Sequence, residues 1–327
     1  MTDSNSFHTP ILLITFNRPE HTGKVLEAIM AAQPHELFVF QDGERTANEN
    51  DILKCAEVRQ VVEKQTKETG VILHTFYSKK NLGCGPGPAA AIFWFFENVD
   101  EGIIIEDDAV PHPDFFPYCE ELLAKYRDNN DVRAIGSMNV DTQRWGDGSY
   151  YFSMMNRNLC AWATWKRSWM SFDISMAKTS CGDLRRALRK YGCGPLECDY
   201  WIDRLREVHK NLSDGKSWDM QFFMSIWLNH GKGIIPNVNL SSNIGTVGEA
   251  THVLGEGNII DNVPTSPILP LVHPSDTNVQ SEADKQFHFR YFEPQKATWG
   301  LGKILYHLIN KRIKRLVGHE GPWIKRK

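Results

Sequence analysis

The chain reads as an α/β protein: a doubly wound, mostly parallel sheet flanked by helices, with a basic helical tail at its C-terminal end. Three observations predict this. Short apolar runs without polar alternation recur, as expected of strands buried on both faces. Segments of helical spacing separate them, so the first quarter alternates β-α-β-α-β, a pattern that folds into a parallel sheet with right-handed crossovers. Polar residues recur where the runs end, at Arg18, Asp42 and Glu106-Asp107-Asp108, and a doubly wound sheet gathers such positions on one rim.

The elements follow in order. Residues 10–16 (PILLITF) form a first strand, broken by Asn17-Arg18-Pro19. Residues 20–32 carry Val25, Leu26, Ile29 and Met30 on one helical face. Residues 37–40 form a second strand ending in Gln41-Asp42-Gly43, residues 49–69 a polar helix, and residues 71–76 a third strand. Asn81-Leu82-Gly83-Cys84-Gly85-Pro86-Gly87-Pro88 lacks the Lys-Ser/Thr of a P-loop. It reads first as a tight loop feeding a buried helix over 89–98, and second as a backbone cradle for phosphate. After the acidic stretch come a helix from about 113 to 126, a strand over 132–138, and an aromatic, irregular stretch over 151–169. Helices over 185–191, 198–210 and 217–230 and a final strand over 233–236 complete the series. Residues 241–257 read as a Gly-rich loop.

The most informative stretch is Gly102-Ile103-Ile104-Ile105-Glu106-Asp107-Asp108, where a buried strand runs into three carboxylates. Adjacent acids repel, so a cation or hydrogen-bond donors should lie nearby. One reading is a divalent-metal site holding a diphosphate. The other is a polar turn in which Asp108 caps the next helix.

Composition narrows the classes. The 327 residues are 41% hydrophobic and 24% charged, enough for a large core. A net charge of −3 supplies no basic field for nucleic acid. The seven cysteines form no CxxC pair, and read as free thiols in a reducing compartment. The opening MTDSNSFHTP lacks the basic and apolar regions of a signal peptide, and no stretch approaches the ~20 apolar residues of a membrane span. The expectation is a cytoplasmic protein. Ten tryptophans, several between Trp145 and Trp227, serve either as core or as sugar platforms.

The order of these features resembles the GT-A glycosyltransferases. It is most similar to the N-acetylglucosaminyltransferases that begin hybrid and complex N-glycan branching, and to bacterial nucleotide-diphospho-sugar transferases related to them. The resemblance covers residues 10–248 and rests on Glu106-Asp107-Asp108 with the trailing Pro113-Asp114-Phe115-Phe116. Arg18, Gln41-Asp42, Trp162-Ala163-Thr164-Trp165-Lys166-Arg167 and Trp218-Asp219 support it. It implies that Arg18 lies against the nucleotide base, Asp42 accepts from a pyrimidine N–H, Glu106 contacts the donor sugar, Asp107 binds ribose or sugar, and Asp108 binds Mn²⁺ or Mg²⁺. Asp219 would be the catalytic base, with an N-terminal helix acid as its plainer role. Asn81, Trp162, Trp218 and His252 are further donor or acceptor contacts, and residues 245–252 a lid. The implied reaction is inverting transfer from a nucleotide-diphosphate sugar, UDP foremost, to a glycan or lipid-linked acceptor in polysaccharide assembly. Met220 and the prolines 86 and 88 depart from the family pattern and bear on substrate choice.

The implied organisation is a GT-A domain over 1–257 (donor half about 1–140, acceptor half about 141–257), an extended Pro-containing segment over 258–298, and a basic amphipathic helix over 299–327. From Lys303 onward the tail carries eight Lys/Arg against the single acid Glu320. It suits either an anionic membrane surface, placing the protein on the inner face of the cell membrane, or docking on the domain. Two other functions compete: a sugar nucleotidyltransferase, although Phe16-Asn17-Arg18-Pro19 lacks a Gly-rich loop, and a non-catalytic, membrane-associated carbohydrate-binding protein.

Overall fold

A computed structural model describes residues 7–46, 48–141, 143–155, 160–210, 217–245 and 261–316. The opening alternation is present as β1 (Ile11–Thr15), α1 (Pro19–Ala31), β2 (Glu36–Gln41), α2 (Glu49–Thr66), β3 (Ile72–Tyr77), α3 (Pro86–Asn98) and β4 (Glu101–Glu106). All five residues of β1 are buried, because helices cover both faces of the sheet. Fully burying each such Leu or Ile side chain contributes about 1.5–3 kcal/mol before chain entropy is counted. Pro19 opens α1 at a position where its missing N–H costs nothing. Asn48 caps α2 by accepting from the Asp51 N–H.

The chain continues through β5 (Ala109–Pro111), α4 (Phe115–Tyr126), β6 (Val132–Gly136), β7 (Tyr150–Ser153), β8 (Ala161–Trp165), α5 (Lys166–Trp169), α6 (Cys181–Lys190), α7 (Pro195–Lys210), α8 (Asp219–Leu228), β9 (Lys232–Pro236) and β10 (Ser241–Asn243). It ends in α9 (Ser281–Tyr291), a 3₁₀ turn at Pro294–Lys296, and α10 (Leu301–Leu316). Eight strands form one sheet in the order β3-β2-β1-β4-β8-β6-β9-β7, and β10 pairs with β5 in a small ribbon. Strands β3, β2, β1 and β4 are parallel; β8 runs against β4 and β6, and β7 runs against β9. The sheet is therefore mostly parallel, as the sequence predicts. Helices α1, α2 and α4 pack on one face with Val25, Leu26, Val62, Leu122 and Leu123. Helix α3 and the α6–α8 group cover the other with Ile92, Phe95, Leu184, Trp201 and Phe222.

Three parts differ from the sequence reading. The stretch read as irregular over 151–169 contains two strands. In β8 the pleat sends Ala161, Ala163 and Trp165 into one core and Trp162 into the other. Burial on both faces removes the alternation that would have marked it. The strand over 233–236 is not the last, since β10 follows. Third, the 258–298 segment is extended only in its first part, where Asp114 accepts from the Ile268 N–H at 2.8 Å. It then turns helical at α9, held by Asp284, which accepts from the Met154 N–H at 2.9 Å and from the Ser153 hydroxyl.

Helix α10 docks through the partly buried side of Ile304, His307, Leu308 and Lys311. The Lys311 ammonium bridges Asp199 and Asp203 of α7. Among the described residues no helix is long and apolar enough to cross a membrane.

Candidate active site

Register places the polar strand ends side by side. Ile14 of β1 lies opposite Glu106 of β4, and Thr15 lies opposite Gln41 of β2. The ladder runs one residue further on each side: the Asp107 N–H reaches the Ile14 carbonyl and the Asp42 N–H reaches the Thr15 carbonyl, each at 3.0 Å. Arg18, Asp42 and the three acids thus meet where β1 separates the two windings, the crevice where such sheets bind ligands.

Arg18 donates to both neighbouring aspartates, to Asp107 in a close ion pair and to Asp108 Oδ2 at 3.1 Å. Burial alone would lower the guanidinium pKa, but the two carboxylates outweigh it and hold Arg18 firmly charged. Asp107 is 2% exposed. Its burial pushes the carboxyl up to about 6 against the pull of Arg18. Glu106 is pushed up to about 8, by burial first and then by the charges of Asp108 and Asp107. Asp219 adds to that rise, so the first residue of α8 shares the electrostatic field of the rim although it lies far away in sequence. The Ser217 hydroxyl donates to Asp219 Oδ1 at 2.5 Å and fixes that carboxylate.

Cys160, just before β8, completes the cluster. Its carbonyl accepts from the Glu106 N–H at 2.6 Å, and its thiol is paired with the Glu106 carboxylate. Burial and the surrounding acids push the thiol well above its ordinary value. Ligand atoms of Glu106, Asp108 and Cys160 all lie within 4.8 Å of one another. Among the described residues Asp108 Oδ1 is buried without a hydrogen-bond partner, while Oδ2 faces Arg18. An orphaned carboxylate oxygen among further oxygen and sulfur donors fits a divalent cation better than it fits the bare protein. The helix-capping alternative for Asp108 is excluded, because the chain passes into β5 before α4 begins at Phe115.

The β5–β10 ribbon roofs this corner. The Ile244 N–H bonds the Asp108 carbonyl at 2.8 Å, and the His21 ring meets the Ile244 carbonyl at 3.2 Å. Gly245 approaches so closely that a Cβ there would lie 2.9 Å from Asp108 Cβ and Cγ. This is where the lid was expected to begin; its remainder, including His252, lies outside the described residues.

Asp42 is used differently from the expectation. Its carboxylate accepts from the Leu82 N–H at 2.8 Å and from the Gly83 and Gly43 N–H groups at 2.9 Å. Asn81 adds an amide N–H to Asp42 at 3.2 Å and another to the Gly43 carbonyl at 2.8 Å. These protein donors occupy the oxygens that a pyrimidine N–H would need. Burial nevertheless pushes the Asp42 carboxyl upward against these N–H groups. Asp42 and Asn81 thus anchor the Gly-rich loop, in which Gly83 sits at φ +83°.

Trp162 and Trp218 stack 5.9 Å apart but are 0% and 5% exposed, so both are core beneath the site and not open sugar platforms. Three participants were missed. Cys160 belonged to no motif, Ser217 showed only as a neighbour of Trp218-Asp219, and the Asn17–Arg45–Asp51 knot depends on a fold contact. Asn17 donates to Asp51 at 2.8 Å, and Arg45 grips Asp51 through Nε at 2.6 Å and Nη2 at 2.8 Å. The Arg45 guanidinium also lies over the Phe16 ring, 5.5 Å from its centroid.

No family model matches the chain, and no curated protein does. Several solved structures align with parts of the chain. A UDP-glucose pyrophosphorylase bound to UDP-glucose aligns at 10% identity and a TM-score of 0.40, over 73% of this chain and 94% of its own. A 4-diphosphocytidyl-2C-methyl-D-erythritol synthase from Anaerococcus prevotii aligns at 8% identity and a TM-score of 0.31, over 50% of this chain and 74% of its own. A glucose-1-phosphate thymidylyltransferase assignment from Bacillus anthracis aligns at 13% identity and a TM-score of 0.30, over 66% of this chain and 98% of its own. Likeness this distant carries no argument about activity. The α/β class rests on the chain's own sheet.

Proposed function

We propose that the β1–β2–β4 rim binds a nucleotide-diphosphate sugar and that the chain is an inverting, divalent-metal-dependent glycosyltransferase. The observation that carries this reading is the crowding of carboxylates at the rim: Asp107 and Asp108 share Arg18, Glu106 lies in the field of Asp108, Asp107 and Asp219, and among the described residues Asp108 Oδ1 has no partner. Asp108, with Glu106 and Cys160 in reach, would hold the cation. A bound Mn²⁺ or Mg²⁺ supplies Lewis-acid neutralisation of a departing diphosphate.

The chain's own residues supply the rest. Arg18 orients Asp107 and Asp108 and keeps their side chains ordered before substrate arrives. Glu106, whose carboxylate lies within 4.8 Å of the Asp108 ligand atom, would contact the donor sugar at the edge of the cation site. Asp42 and Asn81 hold the Gly-rich loop along the donor side. Asp219, braced by Ser217, takes the proton of the acceptor hydroxyl. A single carboxylate acting opposite the leaving group gives inversion, by analogy with direct displacement in inverting hydrolases. The nucleotide is UDP by the sequence resemblance alone, since the Gly-rich loop engages Asp42, and the acceptor is a glycan or lipid-linked saccharide in this reading.

The second reading is sugar nucleotidyl transfer, the reaction for which the aligned structures are named. The same acids and cation would serve it. The direct passage from β1 through Phe16-Asn17-Arg18 into α1, without glycines, favours glycosyl transfer. The products decide between them. Glycosyl transfer or its hydrolytic side reaction releases nucleoside diphosphate from a nucleotide sugar. Nucleotidyl transfer releases pyrophosphate from a nucleoside triphosphate and a sugar phosphate. Pyrophosphate alone would replace the first reading by the second, and neither product across a broad panel would leave the non-catalytic carbohydrate-binding protein.

A further inference from the structure

Helix α10 has two unlike sides. Its docked side ends in the Lys311 bridge to Asp199 and Asp203. Its outer side carries Leu301, Leu305, Ile309 and Ile313, four residues apart in turn and therefore on one face. These are 86%, 60%, 49% and 51% exposed, and Tyr306 beside them is 69% exposed. An amphipathic helix packed on a domain normally buries its apolar face. Here Ile304 and Leu308 are turned to the domain while a second apolar stripe is turned outward, and a patch of this kind marks an interaction surface.

Charge identifies the partner. Helix α10 contains no acid. Lys303, Arg312 and Lys314 are exposed, and Lys303 and Lys314 lie on one side of the apolar stripe by helical spacing. The Lys303 ammonium sits 4.7 Å from the centre of the Trp299 ring at the helix entrance. An apolar stripe with Tyr306 at its edge, Arg312 within its arc and lysines on the remaining exposed side of the helix matches the layering of a lipid interface. Self-association through the same stripe would instead bring two unneutralised basic helices together.

We propose that α10 lays its Leu301–Leu305–Ile309–Ile313 stripe into an anionic bilayer surface while Lys311 keeps it fixed to α7. Long cationic side chains reach the headgroups while their stems cover apolar surface. This inference does not depend on the reaction catalysed at the rim.

The test is co-sedimentation of the full chain with vesicles of phosphatidylcholine alone and of phosphatidylcholine with phosphatidylglycerol at about 3:1. Binding is expected to the anionic vesicles and to weaken on raising salt from about 0.1 M to about 0.5 M. Leu305→Asp with Ile309→Asp should reduce it at least about tenfold. Both positions are exposed, so the melting temperature should stay unchanged. Lys303→Glu with Lys314→Glu should remove the preference for anionic vesicles. Equal binding to both vesicle types, no binding to either, or unaltered binding by the aspartate variant would overturn the proposal. So would sedimentation equilibrium showing a dimer that the aspartate variant dissociates, because the stripe would then belong to a second copy.

Discussion

Two adjacent residues, Asn17 and Arg18, feed two acidic clusters of opposite character. Asn17 turns to Asp51, which is fully buried and receives the Asn17 amide together with the Arg45 side chain and backbone N–H. Arg45 and Asn17 more than offset burial, and the Asp51 carboxyl falls to about 2. Arg18 turns to Asp107 and Asp108, where one guanidinium serves a crowd of acids, Glu106 rises to about 8 and an oxygen of Asp108 stays unpartnered. A satisfied buried carboxylate stabilises a fold, whereas an unsatisfied group maintained in the same sheet marks a place where a ligand completes the structure.

This contrast breaks most sharply at Asp219. Replacement by Asn should leave donor binding intact and lower turnover roughly 10²–10⁴-fold. Steady-state kinetics alongside a donor-binding titration would check this, and unchanged turnover would return Asp219 to a helix-terminal acid. At the satisfied cluster the effect should fall on stability. Asp51→Ala strips Arg45 and Asn17 of their partner and should cost about 2–4 kcal/mol in denaturant unfolding, with half-exposed Arg45 keeping the figure below that of a fully buried pair.

The two clusters also respond oppositely to pH. The Asp51 carboxyl is depressed in the folded state, so its contribution is complete above the unfolded value near 4 and disappears as pH falls toward 2. Glu106 is raised, so the native protein binds the extra proton and stability declines as pH climbs from about 4.5 to about 8. Glu106→Gln should flatten that alkaline decline. Melting temperatures measured across pH 5–9 would show it, and a variant curve parallel to the wild type would remove Glu106 as its source. The mildest change is Gly245→Ala, whose methyl group would press on Asp108. It should weaken divalent-cation binding several-fold with little change in stability, on the order of 1 kcal/mol for the local repacking.

The sheet was legible because apolar runs and helical spacing are local. Thus β1, α1, β2, α2, β3 and β4 were readable from adjacent residues, as was the rim formed by their polar ends. The antiparallel strands β7 and β8 were not: Ala161–Trp165 is buried on both faces and carries no polar period. Helix α9 was hidden after a long Pro-containing segment, and what fixes it is a tertiary contact from Asp284 to β7. The site divided in the same way. Glu106, Asp107, Asp108 and Arg18 announced themselves at strand ends. Cys160 enters only because β8 runs beside β4, and Asp42 turned out to spend its oxygens on a loop some forty residues later. The tryptophans illustrate the limit of composition, since Trp162 and Trp218 are aromatic and near the site yet closed to solvent.

The central claim is that the cluster fed by Arg18 completes itself with a cation and a nucleoside diphosphate, while the cluster fed by Asn17 is already complete. Calorimetric titration of UDP into the wild-type chain, Asp108→Ala and Asp51→Asn, each with and without Mn²⁺ and well below its melting temperature, tests this directly. The account predicts Mn²⁺-dependent binding by the wild type, its loss in Asp108→Ala and its retention in Asp51→Asn. Mn²⁺-dependent binding of equal strength in Asp108→Ala, or loss confined to Asp51→Asn, would contradict it.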